Sequence, residues 1–267
     1  MRRLLSIPCA GAELAASLDC GDAAGGAAGL VMVTGGSQTR IGSHRMYERL
    51  AKSIAEKNYP CLRFDRRGVG DSAGEDPGFR GSGPDLAAAA GALRRECPSL
   101  ARLIGFGLCD GATALALFGR AAGLDGLILV NPWLVEAEAD APPPAAIKAH
   151  YRQRLTSREG WKKILSGAVD YRKVLGGLGK MAARRRGAPL ALETAAALAA
   201  SGLRSWLILA ENDATAVAAA EEMKAPAFRG LIEGRETIAS DSHTFARPGD
   251  EAALSTAVLR ALGALAG

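Results

Sequence analysis

Apolar residues along this chain fall into two recurring patterns. Leu30-Val31-Met32-Val33, Leu103-Ile104-Gly105-Phe106, Leu127 to Val130 and Trp206 to Ala210 are short, nearly uninterrupted apolar runs. Such runs suit strands buried on both faces of a parallel sheet. Between them lie segments with helical spacing: Met46, Leu50 and Ile54, with Ser43 placed as a cap; Pro84 to Arg95; Ala112 to Phe118, which Gly119 can end; and about Glu251 to Leu265. Residues 3–20 alternate loosely about Gly11, which predicts a β-hairpin at a sheet edge. Pro60 to Phe64 and Glu236-Thr237-Ile238 supply further strands. A steady strand–helix alternation predicts an α/β protein with a mostly parallel, doubly wound sheet and right-handed crossovers.

The alternation breaks between Asn131 and about Gly202, where no strand pattern is found and Pro142-Pro143-Pro144 opens a helical stretch. A segment of that length between two late strands reads as an inserted helical cap or lid. The expected division is a core of residues 1–133 and 203–267 with a cap over 134–202. Charge sharpens this picture. The net charge is +5, yet residues 145–187 hold 12 Lys and Arg against only Glu159 and Asp170, so the remainder is net acidic. One reading is solvated helix faces. The other is a lid that draws an anionic substrate or touches an acidic membrane surface. No nucleic-acid module accompanies the charge: Tyr151, Trp161 and Tyr171 lack stacking-motif spacing.

Hydrophobic residues make up 48% and aromatics 5%, so the core must be aliphatic and alanine-rich. No apolar stretch approaches membrane-spanning length, so no transmembrane helix is expected. Met1-Arg2-Arg3-Leu4-Leu5 begins like a signal peptide, but Pro8 and Glu13 interrupt it. The five cysteines, at 9, 20, 61, 97 and 109, form no C-x-x-C, and the histidines at 44, 150 and 243 show no ligand spacing. Neither a disulfide framework nor a metal or other cofactor is expected, and a reducing cytoplasm suits the thiols. Gly105-x-Gly107 lacks the third glycine of a dinucleotide fingerprint, and Thr34-Gly35-Gly36 lacks the end of a P-loop.

The chemistry centres on Gly107-Leu108-Cys109-Asp110-Gly111, between an apolar run and a helical pattern. A strand that turns tightly into a helix, with small residues flanking the turn, is the setting of a nucleophile elbow, G-x-S-x-G, with Cys109 at the serine position. The helix N-terminus behind the sulfur favours thiolate and any anion formed there. A buried, inert cysteine fits the five residues alone equally well.

A nucleophilic thiol needs a base and the base an orienting acid. His243, in Ser240-Asp241-Ser242-His243-Thr244-Phe245, follows the last strand. His150 lies within the basic insertion and reads as a cap-surface histidine. Asp213 follows the strand ending at Ala210 and is favoured as the acid over Glu211 and Asp241. Nucleophile, acid and histidine then come in the elbow-type order, each after a strand. An oxyanion hole needs two converging N–H groups: that of Asp110, and one from Gly35-Gly36-Ser37, with Ser37 expected and Gly36 next. His44 and Arg45, near that loop, read mainly as helix-surface residues.

With these residues in place, the chain resembles the α/β-hydrolase superfamily. Asp65-Arg66-Arg67-Gly68-Val69-Gly70-Asp71-Ser72 is similar to its D-x-R-G-x-G-x-S turn. Residues Gly35 to Arg45, Leu62-Arg63-Phe64-Asp65 and the elbow are similar to the exosortase A system-associated hydrolases, bacterial proteins linked to exopolysaccharide synthesis and protein sorting. The cysteine also resembles that of dienelactone hydrolase, whose architecture lacks the insertion. The resemblance implies an α/β-hydrolase fold and an esterase or thioesterase with a Cys109–His243–Asp213 triad, acting on a small-molecule or lipid-linked acyl substrate. An acyltransferase with the same triad, a non-catalytic binding protein on the same fold, and a lid-mediated peripheral membrane protein remain as alternatives.

Overall fold

A computed structural model describes residues 1–21, 27–136 and 188–267. The expected hairpin pairs β1 (Arg2–Cys9) with β2 (Ala12–Asp19), Cys9 opposite Ala12. Its two-residue loop puts Ala10 and Gly11 both at positive φ, the twist that a tight hairpin needs. The remaining strands are β3 (Ala28–Val33), β4 (Cys61–Phe64), β5 (Arg102–Leu108), β6 (Gly126–Val130), β7 (Arg204–Ala210) and β8 (Gly234–Ile238). They form one sheet in the order β1-β2-β4-β3-β5-β6-β7-β8. β1–β2 and β2–β4 are antiparallel, and every other neighbouring pair is parallel.

The helices among the described residues are α1 (Met46–Ala55), α2 (Gly83–Glu96), α3 (Asp110–Phe118), α4 (Pro189–Ser201), α5 (Ala214–Glu222) and α6 (Asp250–Ala266). The period of two along each strand explains the two layers of core. Leu30, Met32, Ile104, Phe106, Ile128 and Ile208 face α1 and α6. Val31, Val33, Leu103, Leu127, Leu129 and Leu207 face the side of α2, α3 and α4. The apolar runs lack alternation because both faces are covered.

The start of α1 differs from expectation. Ser43 does not cap it: Ser43–Arg45 form a separate 3-10 turn, and the Ser43 N–H is taken by Gln38 Oε1 at 3.1 Å. His44 and Arg45 both adopt left-handed backbone, so the α-helix begins only at Met46. Most of the expected cap, residues 137–187 with His150, lies outside the described residues. Of the same stretch, α4 packs on α3 and buries Ala191, Ala195 and Leu198 in the main core.

Buried charge gathers at the ends of β2 and β4. Arg63, 1% exposed, donates to Asp19 at 2.9 Å. The fully buried Asp65 carboxylate accepts from the Arg40 backbone and guanidinium and from the Asp71 N–H at 3.1 Å. Arg67 pairs with buried Asp85 at 2.5 Å. Gly70 has to be glycine, because a Cβ there would lie 2.5 Å from Asp65 Oδ2. Gly263 is the opposite case. It lies within α6, exposed, and a Cβ there would meet nothing within 4 Å. Gly263→Ala is expected to stabilise the protein by about 0.5–1 kcal/mol, measured by urea unfolding, because alanine loses less backbone entropy in a helix.

Candidate active site

Cys109 sits where β5 turns into α3, at φ 60° and ψ −128°. A non-glycine residue holds such a conformation only when its surroundings over-determine it. Here the Cys109 N–H donates to Val130 O at 3.0 Å, and its carbonyl accepts from the Ala112 and Trp133 N–H groups, each at 3.1 Å. The flanking glycines supply room. A Cβ on Gly107 would lie 2.7 Å from the Ala112 nitrogen, and one on Gly111 would lie 2.6 Å from the Val33 carbonyl oxygen. α3 can therefore start directly beneath the half-buried thiol.

Asp213 ends the turn after β7 and caps α5, with Oδ2 accepting the Ala216 N–H at 2.9 Å. The same oxygen lies 2.9 Å from His243 Nδ1. Glu211 is exposed, and Asp241 pairs with Arg247, so neither carboxylate orients His243. Burial pushes the Asp213 carboxyl up, but the hydrogen bonds from His243 and the Ala216 N–H outweigh it, and the net shift is downward. His243 is raised to about 10, first by the Asp213 hydrogen bond and then by one with the Cys109 thiol, against the opposing effect of burial. His243 and Asp213 thus form a hydrogen-bonded pair, and Cys109, Asp213 and His243 follow the C-terminal ends of β5, β7 and β8.

The loop carrying His243 is held from several sides. Ser240 Oγ donates to Asp250 at 2.5 Å, and the Ser242 N–H donates to Ser240 Oγ at 3.0 Å. Fully buried Asn131 follows β6 with φ 41°. Its Nδ2 donates to His243 O at 3.1 Å, and its Oδ1 accepts the Ala210 N–H at 2.8 Å. One side chain thereby ties the acid-bearing strand to the histidine loop. His44 Nε2 lies 2.9 Å from the Thr244 carbonyl oxygen, so this residue anchors the same loop instead of only decorating a helix surface. The signal that could have found Asn131 is an asparagine directly after an apolar strand, where left-handed backbone is tolerated.

The loop after β3 lies against the elbow: a Cβ on Gly35 would come within 2.9 Å of both Cys109 Cβ and Asp110 Oδ1. The Gly36 N–H donates to Asp110 Oδ1 at 2.6 Å, so this N–H is the loop donor that points at the elbow. The hydroxyl of Ser37, whose N–H is the one expected first for that task, donates to Asp76 at 3.3 Å. Among the described residues, no group of three or more His, Cys, Asp or Glu side chains is arranged to hold a metal ion.

No protein-family model and no curated protein matches the sequence. Solved structures do match in shape. XC6422 from Xanthomonas campestris, described as an a/b serine hydrolase without lid, aligns with a TM-score of 0.63 at 16% identity, covering 98% of this chain and 94% of its own. Dienelactone hydrolase from Anabaena variabilis aligns with a TM-score of 0.63 at 14% identity, covering 99% and 97%. The Pyrococcus furiosus esterase Pf2001 aligns with a TM-score of 0.65 at 14% identity, covering 100% and 93%. This chain has the α/β-hydrolase fold. In an α/β-hydrolase fold the C-terminal edge of the sheet is where ligands approach, and the elbow, Asp213 and His243 all lie on that edge.

Proposed function

We propose that the protein is an acyl hydrolase that cleaves esters or thioesters through a covalent intermediate on Cys109. The observation that carries this reading is a cysteine held at φ 60° between strand and helix, near a histidine whose Nδ1 lies 2.9 Å from a buried carboxylate. With Nδ1 on Asp213, Nε2 is left for the sulfur. His243 and Cys109 share one proton, which His243 holds as the sulfur attacks the acyl carbonyl carbon. The carbonyl electrons move onto oxygen, which takes the N–H groups of Asp110 and Gly36 as the Asp110 carboxylate turns off Gly36. The tetrahedral species collapses, the bond to the leaving oxygen or sulfur breaks, and His243 gives the leaving group its proton. Water then attacks the thioester, gives a proton to His243 and releases the carboxylic acid and the thiolate.

Intact mass spectrometry with a panel of short acyl esters and thioesters tests this. The expected result is a transient adduct on Cys109 that is lost in Cys109→Ala and in His243→Ala. Decay in water assigns a hydrolase, and persistence until an alcohol is added assigns an acyltransferase. No adduct from the whole panel, with Cys109 alkylating no faster than an ordinary thiol, points to a binding protein instead.

The basic stretch 145–187 fits a lid that gathers an anionic or lipid-linked substrate, in keeping with the resemblance to exosortase-associated hydrolases. Among the described residues no helix is long and apolar enough to cross a membrane, and all five cysteines are free. Peripheral contact through the basic stretch and a reducing cytoplasm fit those two facts.

A further inference from the structure

Arg66 stands apart from the other buried arginines. Arg63 and Arg67, its near neighbours in sequence, each pair with a buried aspartate. Arg66 is 2% exposed, donates through Nη2 to the Gly36 carbonyl oxygen, and has no partner for Nε or Nη1 among the described residues. A guanidinium cannot shed its charge, and burying one without a counter-ion is strongly unfavourable. Such a group is retained at a stability cost where its charge or its grip is needed elsewhere.

The sheet order shows where it is needed. Arg66 follows β4, Gly36 follows β3 and Cys109 follows β5, and these strands are adjacent in the order β4-β3-β5. The loop thus lies between the arginine and the nucleophile. Gly36, at φ 57°, is held from both sides: its N–H donates to the Asp110 carboxylate on the elbow side, and its carbonyl accepts from Arg66 on the other. The Gly36 carbonyl and the Ser37 N–H belong to one planar peptide unit, so the same bond fixes that group too.

We propose that Arg66 is the positioning residue of the oxyanion site. It pins the Gly36 carbonyl, which keeps the Gly36 N–H aimed at the elbow. Its charge, one residue away, offsets the Asp110 carboxylate and then the negative oxygen that displaces it. Arg66 touches neither substrate nor sulfur; it acts through Gly36. This inference rests on acylation of Cys109, so its test separates the two.

Arg66→Met and Arg66→Lys, in the full chain, are compared with wild type in two reactions of the same thiol. Acylation by an activated ester builds an oxyanion; alkylation by iodoacetamide, a displacement at saturated carbon, does not. Arg66→Met is expected to slow acylation by about 10²–10³-fold, the size of losing an oxyanion donor, with alkylation unchanged, and Arg66→Lys to recover part of the loss. Equal slowing of both reactions would show general damage to the site and overturn the proposal, as would no slowing of either. If wild-type Cys109 never acylates, the hydrolase reading fails by itself. The Gly36 amide resonance of ¹⁵N-labelled protein then decides about Arg66. A downfield signal in wild type that is lost in Arg66→Met upholds the positioning role, and an unmoved signal overturns it.

Discussion

Asp213→Asn is expected to slow acylation of Cys109 by about 10³–10⁴-fold while the protein stays folded, because a neutral asparagine amide cannot stabilise the protonated His243 as the carboxylate does. Asparagine remains a good N-cap, so α5 keeps its first turn and the loss isolates the carboxylate charge. Single-turnover acylation followed by mass spectrometry gives the rate; a loss below about tenfold would remove Asp213 from the proposed triad. The same variant makes a pH prediction. His243 is raised from its ordinary value near 6.5 to about 10, with Asp213 the larger cause. A folded-state value raised in this way contributes stability that is fully present below the unfolded value and is lost as pH rises through the folded one. Wild type should therefore exceed Asp213→Asn in stability most between about pH 5 and 6.5, and the gap should close towards about pH 10. Asp213 shifts less than its partner because its own burial opposes ionisation. Urea unfolding of both proteins at about pH 6 and about pH 10 checks the sign; a gap that widened with pH would mean that His243 is neutral in the folded protein.

The elements that were legible in the chain are those whose signals are local. Leu30 to Val33 and Leu127 to Val130 read as buried strands because parallel strands covered on both faces are apolar throughout, and both lie in the middle of the sheet. Gly11 marked the hairpin because two left-handed positions are needed there. Cys109, Asp213 and His243 could be placed because each follows a strand, and strand ends share one edge of a parallel sheet. What escaped depends on residues far apart in sequence. His44 looked like a surface residue because its partner, Thr244, lies 200 positions away. Asn131 joins Ala210 to His243, and neither pairing leaves a periodic trace. Ser43 looked like a cap by type and position, but Gln38 took its N–H and two left-handed residues delayed the helix. Arg66 lay inside a recognised turn as an unconstrained position. Only the lack of a carboxylate partner among the described residues, which sequence cannot show, set it apart from Arg63 and Arg67.

Gly111→Ala is expected to destabilise the protein by about 1–3 kcal/mol or more and to abolish acylation of Cys109. Helix propensity alone predicts the reverse, because Gly111 lies in the first turn of α3 and alanine is the better helix former by roughly 0.5–1 kcal/mol. Packing decides the sign. The new Cβ would lie 2.6 Å from Val33 O and 2.9 Å from Thr34 O, and both atoms are backbone at the end of a central strand. No side chain can swing aside, so relief requires α3 to lift off β3, and the elbow moves with it. Gly107 faces the same limit, 2.7 Å from the Ala112 nitrogen and the Gly111 carbonyl. Neither glycine has positive φ; the left-handed backbone falls on Cys109 between them. The glycines are there for close approach, and that approach holds a cysteine in the strained conformation that presents its sulfur. Urea unfolding of Gly111→Ala beside Gly263→Ala tests the argument, since the chemical change is identical and only the surroundings differ. If both variants gain stability, the packing account of the elbow is wrong, and the strain at Cys109 must be held by its hydrogen bonds to Val130, Ala112 and Trp133 alone.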